Sequence, residues 1–196
     1  MKHKIITISR QFGSGGRTVG KETALKLGIP CYDQELIEKI AEESGFAEEY
    51  IAEKSENVSR SSWLAAAFSN TGMNSISTQD YLWDAQRKCI LDLAQKESCV
   101  IVGRCADYIL RNQADCLTVF IHADMEKRAE RIVKKYGETE CSPEKRLKDK
   151  DKKRSMYYHY YTDMEWGMAK NYHISMDSGT LGMKTCVDII TKLYGQ

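Results

Sequence analysis

Short apolar runs alternate with longer amphipathic stretches along the chain. "KIITIS", with Ile5, Ile6, Thr7 and Ile8 in succession, predicts a strand buried on both faces, as in a parallel sheet. Glycines follow it. Val19, Ala24 and Leu27 then recur at helical spacing up to Gly28, a helix-ending residue with Pro30 just beyond. "IPCYD" predicts a short second strand. "QELIEKIAEESG", with Leu36, Ile37, Ile40 and Ala41 on one face, and "FAEEYIAEKSE" predict two further helices. Residues 57–78 break the rhythm. Ser, Asn and Gly there surround Trp63, Leu64 and Phe68, so the stretch reads as an insertion or a mobile segment. Next, "QDYLWDAQRKCILDLAQKE" lines one face with Leu82, Ala85, Cys89, Ile90 and Leu93, and Thr78 is placed to cap it. "CVIVG" and "CLTVFIHA" are strands. Asp124 opens the helix "MEKRAERIVKKYG", which stops at Gly137. Ser142, Pro143 and Glu144 then make a helix-start signature ahead of a long basic and aromatic stretch. "YHISMDS" is a last strand. "GMKTCVDIITKLY" is a last helix, with Met183, Val187, Ile190 and Leu193 inward.

Strands alternating with helices predict an α/β domain with a central parallel sheet. Such sheets bind ligands beyond the carboxyl ends of their strands. The residues that follow the predicted strands are a glycine loop, Asp33, Arg104, Asp124, and Asp177 with Ser178.

Composition narrows the picture. The 196 residues are 42% hydrophobic and 29% charged, values of a folded domain. A net charge of +1 carries no global footprint for nucleic acid or an anionic membrane, so anion binding must be local. The seven cysteines include no C-x-x-C pair and lie largely in apolar runs. They are expected to be reduced thiols of a cytoplasmic protein. No apolar run reaches the ~20 residues of a membrane span, and "MKHKIITISRQ" has no signal-peptide core.

The loop after the first strand holds two overlapping patterns. GGRTVGKE fits G-x-x-x-x-G-K, but Glu22 stands where Ser or Thr is needed. This register would also leave some six residues between strand and loop and only about two turns of helix. "RQFGSGGRT" follows the strand directly and lets a helix of about three turns start at Gly15 or Gly16. In this register Gly13, Ser14, Gly15 and Gly16 form an anion-binding loop. Arg17 and Lys21 are the candidate cations, and the Thr18 hydroxyl is placed for phosphate or Mg²⁺. A G-K lysine would fall on Gly16.

"ISRQFGSGGRTVGKETALKLGIPCYDQELI", "VIVGRCADYIL", "FIHADMEKRAERI", "DKDKKRSMYYHYYTDMEWG" and "YHISMDSGTLG" together resemble the cytidylate kinase-like group of P-loop proteins. The resemblance implies a three-layer P-loop fold with a five-stranded parallel sheet over 1–196. It implies a helical acceptor-binding region at about 34–98 and a mobile lid at about 137–155. It implies phosphoryl transfer from ATP with Mg²⁺ to a nucleoside monophosphate or similar small phosphorylated acceptor. Asp33 matches the Asp that helps hold the acceptor, and Gly103-Arg104 the pair that contacts its base or phosphate. The acid expected after that Arg is Cys105 here, with Asp107 two residues on. Asp151 and Arg154 match the second half of the lid pattern R-D-x-x-D-x-x-R, while Leu147 and Lys148 replace its first half. Asp177 and Ser178 fall where related kinases pass near the adenine. An Asx-capped turn is the other reading of that pair.

Phosphoryl transfer needs positioning and cations rather than covalent chemistry. Arg17, Arg154 and Arg131, with Asp151, are the expected catalytic group, and Arg10 joins Asp33, Arg104 and Asp107 as acceptor ligands. Arg128, in "EKRAER", reads as part of a solvated helix face. Tyr157, Tyr160, Tyr161 and Trp166 suit a packed helix face or a stacking wall for a planar substrate. His122 and His173 read as satisfied core residues. The absent loop lysine and broken lid pattern also suit a protein that binds nucleotide without turning it over. Trp63, Leu64 and Phe68 would serve a homodimer interface or a cover over the acceptor.

Overall fold

A computed structural model describes residues 4–33, 36, 78–113 and 115–195. Five strands form one all-parallel sheet: β1 (Lys4–Arg10), β2 (Cys31–Tyr32), β3 (Cys99–Val102), β4 (Asp115–His122) and β5 (Ile174–Asp177), in the order β2-β3-β1-β4-β5. β1 lies at the centre, and Ile5, Ile6 and Ile8 are fully buried, as an apolar run covered on both faces requires.

Helices cover the two faces. On one side α1 (Gly16–Leu27) and α7 (Met183–Tyr194) enclose a core of Ile6, Ile8, Val19, Val100, Val102, Val187 and Ile190. On the other, α2 (Thr78–Lys96) and the short α3 (Ala106–Ile109) enclose Ile5, Leu36, Ile90, Leu93, Cys99 and Ile101. This is the three-layer arrangement the resemblance implies, built on the parallel sheet that the alternation of elements predicts.

The second half adds α4 (Met125–Tyr136), α5 (Pro143–Thr162) and α6 (Ser178–Leu181). Gly137 ends α4. The Ser142 hydroxyl accepts the Lys145 N–H to start α5, with Pro143 in the first turn, as the sequence predicts. Apart from Leu36 and Thr78, the helices expected at 34–56 and the 57–78 stretch with Trp63, Leu64 and Phe68 lie outside the described residues, as does the Leu82 side chain. All seven cysteines are free thiols. No helix among the described residues is long and apolar enough to cross a membrane.

Candidate active site

The glycine loop follows β1 directly. α1 starts at Gly16, with Gly15 before it in the left-handed conformation (φ 84°) and no side chain capping its first turn. Its leading N–H groups therefore face outward unpaired within the helix, where the dipole also favours an anion. Gly13 is left-handed as well (φ 79°), and a Cβ there would press within 2.9 Å of the Arg128 carbonyl oxygen. The later Gly20-Lys21 pair lies inside α1. A Cβ on Gly20 would meet Val102 Cγ2 at 2.8 Å, so this glycine serves helix-to-sheet packing, while Lys21 is exposed. The G-x-x-x-x-G-K match is thus a feature of the helix and not of the loop.

The loop is braced from all sides. Ser14 N–H and Ser14 Oγ both donate back to the Gln11 carbonyl (3.3 and 2.9 Å), which uses the Ser14 side chain to close the turn. Ser178 Oγ is within hydrogen-bond distance of the carbonyl oxygens of Ser14 (2.5 Å) and His122 (3.0 Å), tying the loop to the ends of β4 and β5. Asp177 accepts from the N–H groups of Gly179 and Thr180 and from the Thr180 hydroxyl. These bonds hold its carboxyl below the ordinary Asp range. Of the two readings of 177–178, the arrangement is that of the capped turn.

Phe12 is bonded through both of its backbone polar groups. Asp151 on α5 accepts its N–H at 2.7 Å, and Arg128 on α4 donates to its carbonyl at 3.2 Å. Arg128 and Asp151 are themselves paired at 2.5 Å, with side chains 6% and 17% exposed. Arg128 is therefore not part of a solvated face, as its sequence setting predicts. It is buried and fixes the loop. Three residues further along α5, Arg154 donates to the Arg10 carbonyl (3.2 Å), and its guanidinium lies 5.6 Å over the Phe12 ring. The helix expected to be the lid is thus docked on the loop backbone, and it runs on past 155 to Thr162.

Arg17 pairs with the buried Asp33 at the end of β2, and Arg10 approaches the same carboxylate at 4.0 Å. Arg131 donates to the Thr18 hydroxyl at 3.0 Å. Arg17, Thr18 and Lys21 share an open hollow with Lys135 on the outer side of α1. Arg10 links this region to a second one. Its stem fills the space where a Gly16 side chain would go, and its guanidinium lies against Gly103.

That second region is an open cleft lined by Arg10, Arg104 and Arg154 with Cys105, Tyr157 and Trp166. The Tyr cluster is both packing and wall. Tyr161 stacks on Trp83 (4.2 Å) and packs edge-on with Tyr157 (4.9 Å), while Tyr157 also faces the cleft. Asp107 lies beneath the cleft, 4% exposed, accepting from Tyr158 OH (2.7 Å) and Ser9 OH (3.2 Å). Burial pushes its carboxyl above the ordinary Asp value. Its lone pairs serve this network, so it supports the cleft from below. His173 differs from expectation: it is exposed, and its Nδ1 accepts the Thr118 N–H. Among the described residues no cluster of His, Cys, Asp or Glu could hold a metal.

Sequence reasoning missed Arg128, Gln86 and Ser9. Only Gln86 carried a signal, a polar residue beside the apolar face of α2.

An uncapped glycine-loop helix beside an arginine cleft, at the carboxyl edge of a 2-3-1-4-5 parallel sheet, defines a P-loop kinase fold. The chain belongs to the cytidylate kinase-like family, whose profile matches residues 5–180. It is 31% identical over 192 residues to a cytidylate kinase of Archaeoglobus fulgidus, covering 95% of this chain and 92% of that one. Among solved structures, a protein from Eubacterium ventriosum matches 99% of both chains at 27% identity with a TM-score of 0.75. A shikimate kinase from Bacteroides thetaiotaomicron shares the fold at 17% identity, covering 98% of this chain and 99% of that one, with a TM-score of 0.55.

Proposed function

We propose that the protein is an ATP-dependent kinase acting on a nucleoside monophosphate or a similar small phosphorylated acceptor. One observation carries this reading: Arg10, Arg104 and Arg154 converge on a cleft that adjoins the uncapped N-terminus of α1, with Arg10 reaching both. Two anionic ligands could bind there with their phosphates facing each other, which is the arrangement in-line transfer needs.

The residues fit ATP phosphates. Gly13 and Gly15 take the left-handed turns that leave the first N–H groups of α1 uncapped, and Arg17, Lys21 and Arg131 surround the first turn of α1. Among the described residues no cluster of His, Cys, Asp or Glu builds a magnesium site by itself. The Thr18 hydroxyl accepts from Arg131 and keeps a second lone pair, so it would be the protein's ligand to a Mg²⁺ bound with the phosphates. The chain's own contribution is to grip the donor phosphates at the loop, grip the acceptor's anionic group with the three arginines, and keep water out with α5. The loop carries no lysine: that place is Gly16, filled by the Arg10 stem. Arg17, held by Asp33, is the cation that bridges the donor loop and the acceptor side.

Purified protein with ATP, Mg²⁺ and a panel of nucleoside monophosphates should form ADP with at least one acceptor. No ADP with any of them sinks the reading. Arg17→Ala should lower kcat by about two decades, the scale of lost electrostatic stabilisation. An unchanged rate points to Lys21 instead. The alternative is a binding protein that does not turn nucleotide over. It is favoured by Arg17 and Arg154 both being engaged within the protein. Saturable ATP binding without ADP formation would establish it.

A further inference from the structure

Gly103, Arg104 and Cys105 are three successive residues with positive φ (77°, 61° and 55°). A glycine takes this conformation freely, but Arg and Cys each hold it at a cost, and such runs persist only where the surroundings enforce them. The surroundings are visible. Gly103 N–H donates to the Ile8 carbonyl. The Gly103 and Cys105 carbonyls start α3 by accepting from Ala106, Tyr108 and Ile109. Gln86, on α2 and 1% exposed, donates its Nε2 to the Arg104 carbonyl at 3.0 Å. The other end of the same amide accepts from Tyr157 OH at 3.4 Å. Burying an amide on an otherwise apolar helix face costs free energy unless both ends are paired, and here both are. Tyr157 and Arg104 both line the arginine cleft.

We infer that Gln86 is a positioning residue for acceptor capture: its amide holds Arg104 in the left-handed conformation that aims it into the cleft, and ties that loop to Tyr157 of α5. The inference rests on the kinase reading for its kinetic form. It goes beyond that reading by assigning a role to a side chain that touches neither substrate. Arg10 and Arg154 approach from other elements and do not depend on Gln86, so the effect should fall on acceptor binding alone.

Gln86→Met keeps the side-chain volume and removes both hydrogen bonds. With the acceptor found in the panel, its KM for that acceptor should rise at least tenfold, while KM for ATP stays within twofold of wild type. Tyr157→Phe, which cuts only one end, should show a smaller rise in the same constant. Equal rises in both KM values, or an unchanged acceptor KM, overturn the inference. A second readout does not need turnover. Hydrogen exchange at the amides of Ala106, Tyr108 and Ile109 should speed up in Gln86→Met, while that of Ser14 in the glycine loop and Val19 in α1 should not change. Unaltered exchange at 106–109 overturns the inference even if the wild type proves inactive, whereas inactivity alone counts only against the kinase reading. Should Gln86→Met not fold, Gln86→Glu, which keeps the acceptor for Tyr157 but sets a carboxylate against the Arg104 carbonyl, takes its place in both measurements.

Discussion

Arg128 shows how a single side chain can be misread from its neighbours. "EKRAER" is rich in charges at helical spacing, which reads as a solvated face. Its partners are Asp151 and Phe12, 23 and 116 positions away, and no local pattern reveals them. Removing one member of a buried pair leaves the other charge uncompensated. Arg128→Ala should therefore cost about 3 kcal/mol of stability in urea unfolding, and a loss near zero would mean the pair is solvated after all. Asp107 is a second case. The sequence placed it near the acceptor, but its partner Ser9 is 98 positions away. Its folded carboxyl titrates above the unfolded value of about 3.9. The folded state thus disfavours the ion: its contribution to stability is greatest below pH ~4 and falls as pH rises toward the raised value. Asp107→Asn should lack that fall. The difference in urea midpoint between variant and wild type should widen upward from pH ~4 and then level off. A pH-independent difference would contradict the shift.

At the level of elements, the glycine joint was legible because a phosphate-binding loop must connect a strand to a helix without slack. That rule separates RQFGSGGRT from GGRTVGKE, and α1 begins at Gly16 as it requires. Strands β1, β3 and β4 were equally legible, since runs of β-branched residues have few other uses. The lid was not. A charged segment looks the same in sequence whether it waves in solvent or rests on a loop, and only the fold puts Asp151 on the Phe12 N–H. Packing of α1 on the sheet gives the test at this scale. Gly20→Ala sets a methyl 2.8 Å from Val102 and 3.4 Å from Ile8, both fully buried. Stiff branched neighbours cannot yield far, so the variant should lose about 1–3 kcal/mol, despite alanine's better helix propensity. A raised melting temperature would show that the interface has room.

For the whole molecule, the strand order gathers what the sequence scatters. Arg10, Asp33, Arg104 and Asp177 come from four different strand ends, and the sheet brings them to one edge. Their alignment after predicted strands was readable in advance. Which of them meet was not, because that depends on helices that approach from elsewhere in the chain. One of those helices has a mechanical consequence. α5 is a single rod of 20 residues, bonded near its middle to the glycine loop through Asp151 and Arg154 and lining the arginine cleft through Tyr157 and Tyr158. A rod cannot leave one of these places and stay at the other. Whatever an anion at the loop does to its seating is felt in the cleft, and the reverse holds by the same amount. Calorimetric titrations of ATP with and without saturating acceptor should then give affinities that differ by at least fivefold, with the same ratio when the order of addition is exchanged. Two independent affinities would mean the rod bends.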